Sequence, residues 1–182
     1  MQRRAIQRIH LTLACLVLLT SCASTGGPAA GEEDGHAVAA LQQAVTGLSP
    51  RVDRREARRL SETAHAVSRQ LARDYGVVGP ALFHNVLVNA KIKERGLCHQ
   101  WAEDLFRRLY ALRLQTLELH WGEARAGTLR EHNSVVVTAK GQPFAQGIVL
   151  DPWRRSGRLV WARTAADRYP WREGESESLR RR

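Results

Sequence analysis

Cys98, His132 and Asp151 are the residues of this sequence whose types and spacing could perform nucleophilic chemistry. A cysteine nucleophile needs a thiol that ionises readily, a base close to it and a group that orients the base. Cys98 follows Gly96 at the start of a predicted helix, where the positive end of the helix dipole stabilises a thiolate. Because Gly96 has no side chain, it would also let a substrate approach closely.

His132 and Asp151 are predicted to meet across a β-hairpin. His132 opens a valine-rich strand, and Asp151 closes the next strand. A symmetric hairpin that turns between Gly141 and Gln142 would place the two side chains opposite each other, with Cβ atoms roughly 5 Å apart. At that distance a carboxylate can hold one tautomer of an imidazole ring. The prediction depends on the register, because a one-residue slip would move the two side chains to opposite faces.

Predicted helices come first in the chain, and predicted strands follow. Spacings of three and four between apolar residues predict helices over 36–48, 53–75, 81–93 and 97–113. Asp53 is the expected N-cap of the second helix, and Leu82, Phe83, Val86 and Leu87 are expected to face inward from the third. Strands are predicted over 116–121, 133–139, 146–150 and 158–162, with turns at 140–143 and 154–157. This order predicts an α+β fold in which an antiparallel β-meander follows N-terminal helices.

Histidine and tryptophan residues on these elements are expected to be mainly structural. His65 and His84 are predicted to be surface or helix-packing residues. The tryptophans are predicted to lie in the core, with Trp153 lining a cleft next to Asp151; they are Trp101, Trp121, Trp153 and Trp161.

Residues 1–21 have the features of a secretory signal peptide. Arginines precede the apolar stretch 11–19, which is shorter than the roughly 20 residues that a membrane-spanning helix needs. The sequence Leu19-Thr20-Ser21-Cys22 resembles a bacterial lipobox, which implies cleavage before Cys22 and acylation of Cys22. An ordinary signal peptide and an uncleaved anchor are the alternatives. The resemblance implies a lipid-anchored, periplasm-facing protein, and Ala23 favours the outer membrane over the inner one.

Export would leave Cys98 as the one free thiol, because Cys15 lies in the signal segment and Cys22 would carry lipid. Spare thiols in an oxidising compartment are usually paired or absent. Cys98 is therefore either buried and inert or retained for its reactivity. After the signal segment, the composition predicts a flexible tether over residues 22–35 and a single domain over residues 36–171. The charged residues 172–182 are predicted to be a disordered tail.

Three segments together resemble the transglutaminase-like cysteine peptidase superfamily, which is related in architecture to papain. They are Gly96-Leu97-Cys98-His99-Gln100-Trp101-Ala102, His132-Asn133-Ser134-Val135-Val136-Val137 and Leu150-Asp151-Pro152-Trp153. The resemblance covers roughly residues 80–162 and implies a papain/transglutaminase-like core. It also implies that Cys98 is the nucleophile, His132 the general base and then acid, and Asp151 the orienting carboxylate.

The sequence departs from the papain-like pattern at the residue that stabilises the oxyanion. Papain-like enzymes have a Gln several residues before the Cys, whereas position 92 of this chain is Ile. Asn89 is the nearest upstream amide and is the candidate for this role, together with the backbone N–H of Cys98.

The resemblance implies amide hydrolysis or amide transfer through a thioester, acting on a protein or peptide in the cell envelope without a cofactor. One alternative is an envelope binding or assembly module in which catalysis is vestigial. A second is the other Cys/His group of cell-wall hydrolases, whose Asp-Cys-Ser pattern Leu97-Cys98-His99 does not match. A third is a zinc site in which His99 and His120 join Cys98, His132 and Asp151 as ligands. The absence of CxxC and HxxxH pairs disfavours this zinc site.

The chain of 182 residues has a net charge of +10, and all but three of its 28 basic residues are arginines. The basic residues are interleaved with acids, as in residues 54–59, and no nucleic-acid-binding motif accompanies them. The sequence therefore predicts no nucleic-acid partner. Arginine-rich surfaces of an exported protein are expected to contact anionic lipid headgroups or acidic polymers.

Overall fold

Four α-helices precede a five-stranded antiparallel sheet in the computed structural model, which describes residues 30–174. The helices are α1 (Ala30–Thr46), α2 (Arg54–Asp74), α3 (Ala81–Asn89) and α4 (Cys98–Tyr110). The strands are β1 (Leu117–Ala124), β2 (His132–Ala139), β3 (Ile148–Asp151), β4 (Val160–Arg163) and β5 (Trp171–Gly174). The sheet order is β4-β3-β2-β1-β5, so the predicted α+β class and antiparallel meander are confirmed. The expected signal segment and Cys22 lie outside the described residues.

Helix α2 begins where its capping residue predicts. The Asp53 carboxylate accepts hydrogen bonds from the backbone N–H groups of Arg55 and Glu56. The Glu56 carboxylate in turn accepts from the backbone N–H groups of Gln115 and Thr116, at 2.7 and 2.8 Å. These bonds attach the start of α2 to the segment that leads into β1.

The main hydrophobic core lies between the helices and one face of the sheet. It includes Leu41, Val45, Leu60, Leu105, Leu109, Val135, Val137 and Leu150. The alternate side chains of β2 and β3, Val136 and Val149, belong to a smaller cluster with Trp171. Both faces of β2 are therefore covered, and all its residues are buried.

The ordered part of the chain is longer at both ends than the sequence predicts. Helix α1 begins at Ala30, inside the expected tether 22–35, and an ion pair of 3.1 Å between Asp34 and Arg69 attaches its first turns to α2. Strand β5 includes residues 172–174 of the expected disordered tail, because it pairs with the free edge of β1. Both ends are ordered by contacts with segments that are distant in the sequence, α2 for the start of α1 and β1 for β5.

Helix α3 ends earlier than predicted and presents a different face. It ends at Asn89, whereas the sequence predicts a helix to about residue 93. Its buried residues are Ala81, His84 and Val88. The residues expected to face inward do not: Leu82, Phe83 and Val86 are 71%, 50% and 60% exposed, and Leu87 is half-buried. The polar residues His84 and Asn85 are held on the inward side by hydrogen bonds to Val78, Arg95 and Trp153, so the apolar periodicity does not identify the buried face.

No described helix is both long and apolar enough to cross a membrane.

Candidate active site

Cys98 is the first residue of α4, and a tightly packed turn places it there. Gly96 has a φ of 136°, and a Cβ atom on it would lie 2.3 Å from the His84 ring. The buried His84 accepts a hydrogen bond from Val78 N–H on Nδ1 and donates one from Nε2 to the Arg95 carbonyl, at 3.3 and 2.9 Å. Only glycine fits this close approach, so Gly96 fixes the start of the helix.

The side chain of Gln100 completes the turn. Its Oε1 atom accepts from the backbone N–H groups of Gly96 and Leu97, at 2.7 and 3.0 Å. The Trp101 indole N–H donates to the Gly96 carbonyl at 3.0 Å. The two amides immediately before Cys98 are therefore occupied, and the first N–H groups of α4 itself are the donors that remain for a ligand.

The Cys98 thiol is half-buried and lies beside the start of β2. Its S–H group donates to the backbone carbonyl of Glu131 at 3.9 Å, one residue before His132. The predicted nucleophile and predicted base are thus brought together by α4 and β2.

His132 and Asp151 form a buried pair, with side chains 3% and 1% exposed. The Nε2–H group of His132 donates to Asp151 Oδ2 at 2.5 Å. The predicted register is nevertheless wrong, because Val135 pairs with Leu150 and a three-residue 3-10 turn (Phe144–Gln146) enlarges the loop. The shift is two residues, which preserves the face on which each side chain lies, and the contact is diagonal.

Three aromatic rings surround the His132 imidazole. Its centroid lies 4.7 Å from that of Trp153, 4.7 Å from Tyr169 and 5.4 Å from Trp171. The Trp153 indole N–H donates to Asn85 Oδ1 at 3.1 Å, which ties α3 to this aromatic wall. The rings keep water from the pair, and a lower local dielectric strengthens the hydrogen bond between His132 and Asp151.

Arg154 extends the pair into a longer buried network. Its Nε–H group donates to Asp151 Oδ2 at 2.6 Å, and its backbone N–H to Asp151 Oδ1 at 3.2 Å. The other end of the guanidinium donates to both carboxylate oxygens of Asp167. The ring of Tyr169 lies 4.8 Å from the guanidinium carbon. Each of these charges therefore has a partner of opposite sign, which buried charges require.

The network sets the charge of His132. Burial alone would lower its pKa, but the hydrogen bond and the negative charge of Asp151, with a further contribution from the neighbouring Cys98, raise that pKa to about 9. Burial alone would raise the pKa of Asp151, and the bonds from His132 and Arg154 hold it below its usual range. At neutral pH the pair is an imidazolium and a carboxylate. Because Asp151 occupies Nε2, the ring nitrogen left for the thiol is Nδ1, which is buried and has no hydrogen-bond partner among the described residues.

The remaining predicted residues lie elsewhere. Asn89 is the exposed last residue of α3, and no hydrogen bond among the described residues joins it to Cys98 or His132. His120 is on β1, where it bonds to Glu173 and Thr138. Within residues 34–174 no group of three potential ligands could hold a metal ion.

Several residues of the site were not predicted from the sequence. Arg154 had a usable signal, because an Arg three residues after an orienting Asp can reach back to it within one turn. Asp167, Tyr169 and Trp171 had none, since they follow the predicted strands. Asp167 reaches Arg154, and the rings of Tyr169 and Trp171 reach His132. Asn85, rather than Asn89, is the α3 amide that contacts the aromatic wall.

Comparison of the chain with protein-family models, with curated proteins and with solved structures finds no match. The transglutaminase-like resemblance of the three motifs accordingly remains a prediction.

Proposed function

We propose that this protein is a membrane-tethered cell-envelope enzyme with a transglutaminase-like Cys-His-Asp site, which hydrolyses or transfers amide bonds. The observation that carries the proposal is the buried 2.5 Å hydrogen bond between His132 and Asp151 next to a thiol at a helix N-terminus. A papain/transglutaminase-like core and a lipid anchor on Cys22 are parts of the same proposal.

The proposed reaction has two steps. The Cys98 thiol gives its proton to Nδ1 of His132, which forms the imidazolium. The thiolate sulfur attacks the carbonyl carbon of an amide, a carbon–sulfur bond forms, and the carbonyl oxygen takes the negative charge. The carbon–nitrogen bond then breaks, and His132 gives its proton to the leaving amine, which leaves a thioester on Cys98. Water or a second amine attacks the thioester carbon and gives a proton back to His132. The carbon–sulfur bond then breaks, which releases the acid or the new amide and restores the Cys98 thiolate beside the His132 imidazolium.

Each residue around the pair has a place in this scheme. Asp151 holds the imidazole through Nε2, so Nδ1 is the atom that exchanges the proton. Arg154 keeps Asp151 ionised, and the aromatic wall excludes water from the pair. The backbone N–H of Cys98 is the proposed oxyanion donor, since Gln100 occupies the two amides before it.

Alkylation of Cys98 tests the proposal without a known substrate. Iodoacetamide is added between about pH 5 and pH 9, where a free thiol titrates near 8.5, and the Cys98 peptide is quantified by mass spectrometry. We expect Cys98 to react faster than glutathione at the acidic end, and His132→Ala to abolish this advantage. A rate equal to that of glutathione, unchanged by His132→Ala, would contradict an activated thiol.

The second candidate function is a binding or assembly module of the same fold. It is favoured by the Cys98 S–H group, which is directed at the Glu131 carbonyl rather than at an imidazole nitrogen. A Cys98→Ala strain that behaves like the wild type, where deletion of the whole protein has a phenotype, would support this second function.

A further inference from the structure

We infer that the exposed face of α3 docks on a bilayer that contains anionic lipids. Four side chains form an apolar ridge on this side of the molecule: Leu82, Phe83, Val86 and Ile92, which are between 50% and 71% exposed. The turn after α3 adds Ile92 to the helix face, because the backbone N–H groups of Ile92 and Lys93 both donate to the Leu87 carbonyl. A single exposed apolar residue needs no explanation, but a contiguous ridge does.

The charges beside the apolar ridge match an anionic surface. Two of the three lysines of the chain, Lys91 and Lys93, flank Ile92. Between residues 78 and 95 the only acid is Glu94, and α3 itself has no charged residue. Apolar side chains edged by lysines are the combination with which proteins bind the interface of an anionic membrane.

The apolar ridge is connected through α2 to the first turns of α1, where the described chain begins. A series of contacts leads from the apolar ridge to α1: Phe83 packs against Gly79, whose carbonyl accepts from the Ser156 hydroxyl at 3.0 Å. The neighbouring Gly157 packs against Ala72 of α2. Ala72 and Asp34 of α1 line one surface cavity, together with arginines from α2 and from the turn after β3: Arg69, Arg73, Arg155 and Arg158.

The proposed lipid anchor on Cys22 would limit how far the start of α1 can lie from the bilayer. The orientation of the domain at the bilayer rests on the acylation of Cys22 in the proposed function. The chain from Cys22 to Ala30 is eight residue steps long and can span at most roughly 29 Å. An acyl chain on Cys22 would therefore keep the start of α1, and with it the arginines that line the cavity beside Asp34, within about that distance of the bilayer. The apolar ridge would give the tethered domain a second contact with the same bilayer.

Vesicle sedimentation tests the inference. The chain that begins at Ala23 is used, because it keeps every described residue and the hydrophobic clusters are drawn from residues 41–171. Vesicles of equal parts phosphatidylethanolamine and phosphatidylglycerol are compared with vesicles of phosphatidylcholine. We expect binding to the vesicles that contain phosphatidylglycerol. This binding should weaken as the salt concentration rises from about 0.1 M to about 1 M, because the Debye length falls from about 10 Å to about 3 Å.

Two pairs of substitutions separate the apolar and the charged contributions. Leu82→Gln with Val86→Gln is expected to weaken the binding at least about tenfold, because both side chains lose their apolar surface. Lys91→Glu with Lys93→Glu is expected to remove the preference for anionic vesicles. Leu129→Gln is the matched control, since Leu129 is fully exposed in the loop between β1 and β2, and it should bind like the parent chain. Circular dichroism of each variant establishes that it is folded.

The outcome is independent of the chemistry at Cys98. Cys98→Ala should bind vesicles like the parent chain, so an inert thiol would leave this inference standing. Absence of binding by the parent chain would overturn it, as would equal binding by the Leu82→Gln/Val86→Gln variant. If that variant lost activity on a soluble peptide while no chain bound vesicles, the occupant of the apolar ridge would be a peptide and not a membrane.

Discussion

The His132 imidazole holds its proton more tightly in the folded protein than in the unfolded chain. Its pKa is raised from 6.5 to about 9, because the hydrogen bond and the charge of Asp151, with a contribution from the neighbouring Cys98, outweigh the burial that opposes them. The stabilisation is complete below about pH 6.5, and it is lost as the pH rises through about 9. The shift corresponds to about 3 kcal/mol of unfolding free energy. The network around one residue thus makes the stability of the whole domain depend on pH.

We therefore predict that the unfolding free energy falls between about pH 6.5 and about pH 9. Urea denaturation at a series of pH values measures this fall. His132→Gln retains an amide that can donate to Asp151 but has no proton to lose, so its stability should change much less over this range. Equal slopes for the parent chain and His132→Gln would show that another group causes the dependence.

Arg154 is the residue on which the buried charges depend. It is 9% exposed and bridges Asp151 and Asp167. Arg154→Met would leave two buried carboxylates without their partner, which typically costs about 3–5 kcal/mol. Arg155, the next residue, is exposed, so Arg155→Met is a matched control that should change stability by less than about 0.5 kcal/mol. Similar denaturation midpoints for the two variants would contradict the bridging role.

At the scale of the elements, the turn into α4 determines where the thiol lies. Gly96→Ala would force a Cβ atom into the His84 ring and would strain a residue with a φ of 136°. We expect a loss of more than about 1 kcal/mol of stability and slower alkylation of Cys98, because α4 can no longer begin at this position. Calorimetry and the alkylation assay measure the two effects.

Gly141→Ala separates backbone strain from the close contact. Gly141 also has a positive φ, of 75°, but no atom lies within 4 Å of the position of its Cβ. The Gly141→Ala variant should therefore lose stability through backbone strain alone, and its Cys98 should be alkylated at the parent rate. If both glycine variants alkylate Cys98 at the parent rate, the turn does not position the thiol.

The elements also show why the sequence predicts that His132 meets Asp151 but does not predict the details of the contact. The pairing of His132 with Asp151 survived a wrong register because a two-residue shift retains the alternation of side chains. The loop contains a 3-10 turn after Pro143, and no spacing in the strands reveals it. The predicted buried face of α3 was wrong because two of its polar residues point inward: His84 packs against Gly96 and Asn85 accepts from Trp153, and both partners belong to other segments.

At the scale of the whole molecule, the site closes only when the end of the domain folds back. Cys98 comes from α4, His132 from β2 and Asp151 from β3, and these were predicted as a set because each motif is local. The cover over His132 comes from Tyr169 and from Trp171 on β5, at the far edge of the sheet. The sequence of β5 is short and charged, so it resembles a disordered tail. It forms a strand because it pairs with the free edge of β1.

Trp171→Ala tests whether this closure holds the domain together. The indole is 9% exposed and packs in a cluster with Val136 and Val149, so its removal would leave a cavity beside the His132 ring. Such a substitution typically costs about 3–5 kcal/mol, which corresponds to a fall in Tm of roughly 10 °C for a domain of this size. Leu129→Ala truncates a fully exposed side chain and should leave Tm nearly unchanged. If Trp171→Ala and Leu129→Ala had the same Tm, β5 would not be needed for the stability of the domain. Trp153 and Tyr169 alone would then be sufficient to cover His132.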